Sequence, residues 1–207
     1  MRTDIIKVDS KGNGADLAID DVPKFARYLD LSEKEVLRLQ LLAEETLGLV
    51  RAVTEDFKAE FWIEGTRGKK ATIHLRAKTH MDSGKKRELI AASSSKRNAA
   101  AAGFMGKVRE IIEDGLYKLD DAGRVPEGTD FMPIVYYEDL GTAEAGRADY
   151  VWTLRKYREN VDEKRPKDER AREAWDELEK SIVANIADDV RVAVRGDVVE
   201  MEIEKQF

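Results

Sequence analysis

The sequence predicts an α/β fold of the two-layer α+β kind, with a mixed, largely antiparallel sheet covered by helices on one face. Three observations carry that expectation. A long helical periodicity starts near Ser32, and two stretches alternate apolar and polar residues around a glycine turn. The elements also run in the order helix, hairpin, variable middle, helix, hairpin. Each hairpin has one apolar face, so each needs a helix laid against it.

The first segment, residues 4–9, is read as a short strand, followed by a turn at Gly12 and Gly14. A short helix is expected from Pro23 to Leu29, with proline at an early position where its missing N–H costs nothing. Ser32 and Glu35 then form a capping box, the serine serving the third amide and the glutamate reaching back. Behind it Val36, Leu39, Ala43, Leu47, Val50 and Val53 recur at helical spacing and predict a helix over 33–54.

Phe57 to Ile63 is rich in strand formers, residues 65–68 turn the chain, and Ile73, Leu75 and Ala77 alternate with His74, Arg76 and Lys78. Residues 85–92 read as helical, 93–97 as a basic loop, and Met105, Val108, Ile111 and Ile112 as another helix. A strand is expected at 134–137 and another over 150–157. Beyond Pro166 a single long helix is expected to carry Trp175, Leu178, Ile182 and Ile186. The closing hairpin points Val190, Val192 and Val194 inward, turns at residues 195–197, and points Val199, Met201 and Ile203 inward again. Its outer side sets Arg191 and Arg195 against Glu200, Glu202 and Glu204, which suits cross-strand pairing. Trp62, Trp152 and Trp175 lie in apolar-periodic segments and are read as core residues.

Composition narrows the functional classes. A chain of 207 residues with 42% hydrophobic and 38% charged residues suits one core with a heavily charged surface. No apolar run reaches the ~20 residues of a membrane span. The N-terminus lacks the apolar stretch of a secretion signal, so a cytoplasmic protein is expected. The absence of cysteine removes disulfides, thiol nucleophiles and cysteine metal sites. With two histidines, His74 and His80, a histidine-rich metal site cannot be built, and no metal ligand set is assigned. The formal charge of −6 argues against general nucleic-acid binding. A nucleic-acid partner would have to use Lys85, Lys86, Arg87, Lys96 and Arg97, a stretch equally suited to a solvated face.

Two blocks carry a family resemblance. Residues 41–50 with the hairpin after them, and residues 181–190 with theirs, resemble the two halves of a GHKL (histidine-kinase-like, or Bergerat) ATPase domain. The small anti-sigma-factor serine kinases are the nearest in pattern. The likeness spans about residues 32–80 and 175–204 and implies one domain over 1–207. An enlarged segment at about 82–148 has no counterpart in that pattern.

The resemblance implies further residues. Glu45 stands where the family keeps its catalytic glutamate, with Glu44 beside it as a substitute polar ligand. The family's magnesium-binding asparagine falls at Leu49, whose side chain has no oxygen for a hard cation. The adenine-binding aspartate falls at Thr79, and the nearest literal match is Asp82 with Gly84. Gly103, Gly106 and Lys107 are candidates for a phosphate-contacting lid at a helix start. Bland alternatives stand beside these, with Glu45 as a boundary residue reaching water and the small residues at 99–106 as a helix-packing surface. The expected function is a degenerate ATPase domain acting as a regulatory or protein-interaction module, binding ATP or ADP weakly without its magnesium site. The alternatives are an active serine/threonine kinase and a nucleic-acid-binding protein.

Overall fold

The structure, a computed structural model, describes residues 1–53, 57–66, 68–79, 106, 108, 112, 150–195 and 197–207. It is a two-layer α+β arrangement. The sheet is built from β1 (Ile6–Asp9), β2 (Phe57–Thr66), β3 (Lys70–Thr79), β4 (Tyr150–Thr153), β5 (Asp189–Arg195) and β6 (Val198–Gln206). Their order is β1-β2-β3-β6-β5-β4, and where a mixed, largely antiparallel sheet was expected, every described ladder is antiparallel. The helices described over their whole length are α1 (Ala15–Tyr28), α2 (Glu33–Val53), α3 (Leu154–Lys164), α4 (Glu169–Lys180) and α5 (Ile182–Ile186). The expected helix at 85–92, loop at 93–97 and strand at 134–137 lie outside the described residues, and so does His80.

One face of the sheet makes the core. Phe57, Ala59, Phe61 and Ile63 on β2 alternate inward with Ala71, Ile73, Leu75 and Ala77 on β3 and with Val199, Met201 and Ile203 on β6. Leu39, Leu42, Ala43 and Leu47 of α2 join the same cluster, and α2 packs across both β3 and β6. Full burial of one such leucine is worth about 1.5–3 kcal/mol. Thr46 is the buried polar side chain of α2, and its hydroxyl donates to the Leu42 carbonyl at 2.6 Å, so its burial leaves no donor stranded. Half of the expected capping box is seen directly, since the Ser32 N–H donates to Glu35 Oε2 at 2.6 Å. That bond and the Ser32 hydroxyl hold the Glu35 carboxyl below its ordinary value.

Three boundaries differ from the sequence expectation, each for a local reason. The first helix starts at Ala15, well before Pro23, because Ala15, Ala18, Val22, Phe25 and Ala26 already form a buried stripe. Pro23 sits inside the helix and forgoes one hydrogen bond. Gly14 caps it at φ 77°, and a Cβ there would meet the Lys7 carbonyl oxygen at 2.0 Å. The strand expected over 150–157 stops at Thr153, whose hydroxyl accepts from the Lys156 N–H and starts α3. Tyr157 is therefore a helical core residue packed at 5.7 Å from the Trp152 ring. The long helix expected after Pro166 breaks at Ser181, which ends α4 and caps α5 by accepting from the Ala184 N–H. The break leaves Ile182 exposed and Ile186 half-buried.

Two glycines test this packing in opposite directions. Gly48 is helical, exposed, and has nothing within 4 Å of an added Cβ. Gly48→Ala should raise stability by about 0.5–1 kcal/mol through helix propensity. At Gly65 the same methyl would sit 2.7 Å from Phe25 and 2.9 Å from Leu29. Gly65→Ala should cost roughly 1–3 kcal/mol as overpacking between β2 and α1. Urea unfolding midpoints of the two variants check both signs, and equal midpoints would contradict the α1–β2 contact.

Candidate functional site

The residues singled out from sequence do not assemble into one described site. Glu45 is half-buried on α2 and Glu44 beside it is exposed. Leu49 lies one helical turn further along. Thr79 ends β3 opposite Phe57, so the strand runs through the position where the resemblance wants an aspartate. Gly106 is buried and helical, as are Val108 and Ile112. Asp82, Gly84, Gly103 and Lys107 lie outside the described residues, as does the basic stretch at 85–97.

A constellation that the sequence reading did not single out lies on the face of the sheet opposite the core. The β2–β3 register sets Trp62 against His74, the β3–β6 register sets His74 against Glu202, and the β5–β6 register sets Glu202 against Arg191. One row of side chains therefore crosses four strands. The Trp62 and His74 rings stack at 4.8 Å with an interplanar angle of 2°. Glu64 accepts from the Trp62 indole N–H at 3.2 Å and lies 3.7 Å from His74 Nε2. On the other side, Glu202 sits 3.6 Å from His74 Nδ1 and 3.3 Å from Arg191 Nη1. Trp62 is thus a half-buried residue of the outer face, which corrects its expected place in the core. The reason is parity: Trp62 lies one residue out of step with Phe61 and Ile63, and neighbours on a strand face opposite sides. Trp152 is core as expected, while Trp175 is half-buried with an Arg165 guanidinium 4.4 Å over its ring.

The neighbouring row is a ladder of alternating charge. Lys7, Glu60, Arg76 and Glu200 stand opposite one another in turn, and Arg76 Nε reaches Glu200 at 3.3 Å. Arg195 approaches the same glutamate at 3.9 Å, and Lys70 pairs with Glu204 at 2.9 Å. The expected pairing of Arg191 and Arg195 with the β6 glutamates is present, and β3 supplies a second set of cations. Pairs this exposed are each worth about 0–1 kcal/mol, so their main effect is to fix register. His74 between two carboxylates has the composition of an acid–base group. Its partners are its own cross-strand neighbours, which makes the cluster a strut across the sheet. Among the described residues no group of three His, Cys, Asp or Glu could hold a metal ion. No described helix is long and apolar enough to cross a membrane.

Asp188 and Asp189 follow the end of α5, where the helix dipole disfavours acids. The structure gives each a different partner. Asp189 Oδ1 accepts the Arg155 N–H in the first turn of α3, so its charge meets a helix N-terminus. Asp188 accepts from Lys205 Nζ at 2.8 Å and from the Gln206 N–H at 2.5 Å, tying the last strand to α5. Arg158 donates to the Ala184 carbonyl, placing a cation at the C-terminal end of α5.

Comparison of the chain with protein-family models, with curated proteins and with solved structures finds no match in any of the three.

The cross-sheet row makes a pH prediction. The contacts with His74, and then the charge of Arg191, hold the Glu202 carboxyl below its ordinary value of 4.5. A carboxyl lowered in the folded state stabilises the protein above its unfolded pKa, and that stability is lost as pH falls through the folded value. The stability difference between the wild type and Glu202→Gln should therefore shrink as pH falls from about 6 to about 3. Urea titrations at each pH measure it, and a constant difference would show that the charge of Glu202 contributes nothing.

Proposed function

We propose that this chain is a degenerate histidine-kinase-like domain that works as a regulatory or protein-interaction module and does not transfer phosphoryl groups. The observation that carries this reading is the pairing of two helix–hairpin units. α2 leads into β2 and β3, α5 leads into β5 and β6, and the two hairpins join through β3 and β6 beneath α2. That is the order of elements the two resembling blocks imply for a GHKL domain. Glu45, at the position of the catalytic glutamate, is half-buried on the helix that spans the join.

The loss of phosphoryl transfer rests on Leu49. One turn beyond Glu45, a magnesium ligand would need an oxygen, and leucine has none. Glu44 is exposed and offers a carboxylate, but a neighbour in sequence points about 100° around the helix from Glu45. Without a cation to neutralise the β- and γ-phosphates, positioning alone leaves the transferring group's charge uncompensated. ATP or ADP then acts at most as a weak ligand, and binding to another protein is the activity that remains.

Thermal unfolding with and without ATP or ADP, each with and without magnesium, tests this directly. A ligand at ~100 times its dissociation constant stabilises by about 2.7 kcal/mol. At about 2–4 °C per kcal/mol that moves the midpoint by roughly 5–10 °C. We expect magnesium to leave the nucleotide response unchanged and ATP turnover to stay at the buffer blank. A magnesium-dependent shift together with turnover abolished by Glu45→Gln would establish an active kinase or ATPase instead.

A further inference from the structure

The outward side of α2 carries a pattern that the core does not use. Leu39, Leu42, Ala43, Thr46 and Leu47 are buried against the sheet and neighbouring helices. On the opposite side Lys34, Leu37, Leu41, Glu44 and Gly48 are all exposed. Leu37 and Leu41 are 61% and 38% exposed, on a helix whose other described leucines at 39, 42 and 47 are buried. The exposed five recur at alternating steps of three and four, the spacing of a coiled-coil seam. In that seam the order reads cation, leucine, leucine, anion, glycine.

We propose that α2 pairs with α2 of a second copy of this chain in an antiparallel two-helix seam, making the protein a homodimer. The charge order selects the direction. In antiparallel packing each position of one kind meets the other kind across the axis. Leu37 then packs on the partner's Leu41, and Lys34 faces the partner's Glu44. The twofold axis repeats both contacts, as a closed isologous interface requires. Parallel pairing would instead set lysine against lysine and glutamate against glutamate at the ends of the same leucine pair. The axis falls level with Leu39, so Gly48 lies near the rim of the seam.

This dimer does not depend on nucleotide, and its test is run without any. Sedimentation velocity of the full chain from low to high micromolar concentration should show a monomer–dimer equilibrium. Lys34→Glu alone, or Glu44→Lys alone, turns two attractive contacts into two repulsive ones and should weaken association roughly tenfold to a hundredfold. The double swap Lys34→Glu with Glu44→Lys restores opposite charges at both ends and should return association to within a few-fold of the wild type. Lys34 and Glu44 are both exposed, so far-ultraviolet circular dichroism at concentrations where the wild type is monomeric checks that each variant is folded. A wild type that stays monomeric throughout overturns the proposal. Single swaps that leave association unchanged, or a double swap that fails to rescue it, overturn it as well.

Discussion

The ladder between β3 and β6 is the constraint on which the rest of the structure depends. It runs from Lys70 opposite Gln206 to Lys78 opposite Val198 and joins two hairpins far apart in the chain. Each hairpin forms locally, but a lone two-stranded ribbon is marginal in water. Closing the connection costs loop entropy that grows only as the logarithm of its length. What offsets that cost is the surface buried at the join, where Ile73, Leu75, Met201 and Ile203 meet the leucines of α2. If β6 slipped by one residue, every one of its core side chains would turn outward. The same slip would move Glu202 away from His74 and Arg191 and Glu204 away from Lys70.

The ends of the elements reinforce this join. Gln206 donates its side-chain amide to the Gly68 carbonyl, and the Phe207 N–H reaches the Lys69 carbonyl, so the last strand clasps the β2–β3 turn. Lys69 in turn approaches Glu35 at 3.4 Å, linking that turn to the start of α2. At the other end, Asp189 caps α3, and Arg158 on α3 meets the end of α5. Burial lowers the Arg158 pKa while the two aspartates oppose that shift, so the guanidinium sits in a partly desolvated but anionic setting. The helical layer of the second half is thereby anchored by polar contacts as well as by Trp152, Leu154 and Tyr157.

Much of this was legible in the residues because strong local signals agreed with the tertiary outcome. The capping box and apolar period of α2 placed its start correctly, and both hairpins appeared with the expected inward valines, isoleucines and leucines. The failures have a common physical cause. Ser181 and Thr153 are small polar residues whose capping bonds form only when a neighbouring helix needs a start, so a continuous apolar period hid both breaks. Pro23 suggests a helix start because proline is tolerated there, although Ala15 and Ala18 before it already belong to the buried stripe. The Trp62–His74–Glu202–Arg191 row needed three registers at once. The two hairpin turns supply the β2–β3 and β5–β6 registers, but the β3–β6 pairing comes from no local signal. The roles of Glu45, Glu44 and the glycine candidates rest on resemblance, and neither periodicity nor charge pattern could decide among them.

The outer surface of α2 and the outer face of the sheet divide the chemistry between them. The sheet face is filled by charges that neutralise one another within the chain, whereas the α2 surface keeps two leucines and an unmatched charge order. Both positions follow from α2 lying across β3 and β6. The claim that these strands unite the two halves is best tested by native-state hydrogen exchange on the strand amides. The account predicts that β3 and β6 exchange together, through global unfolding, with the denaturant dependence of the whole protein. Exchange of β5 and β6 at a lower free energy than β2 and β3 would contradict it, and would mean that the hairpins are two separate units.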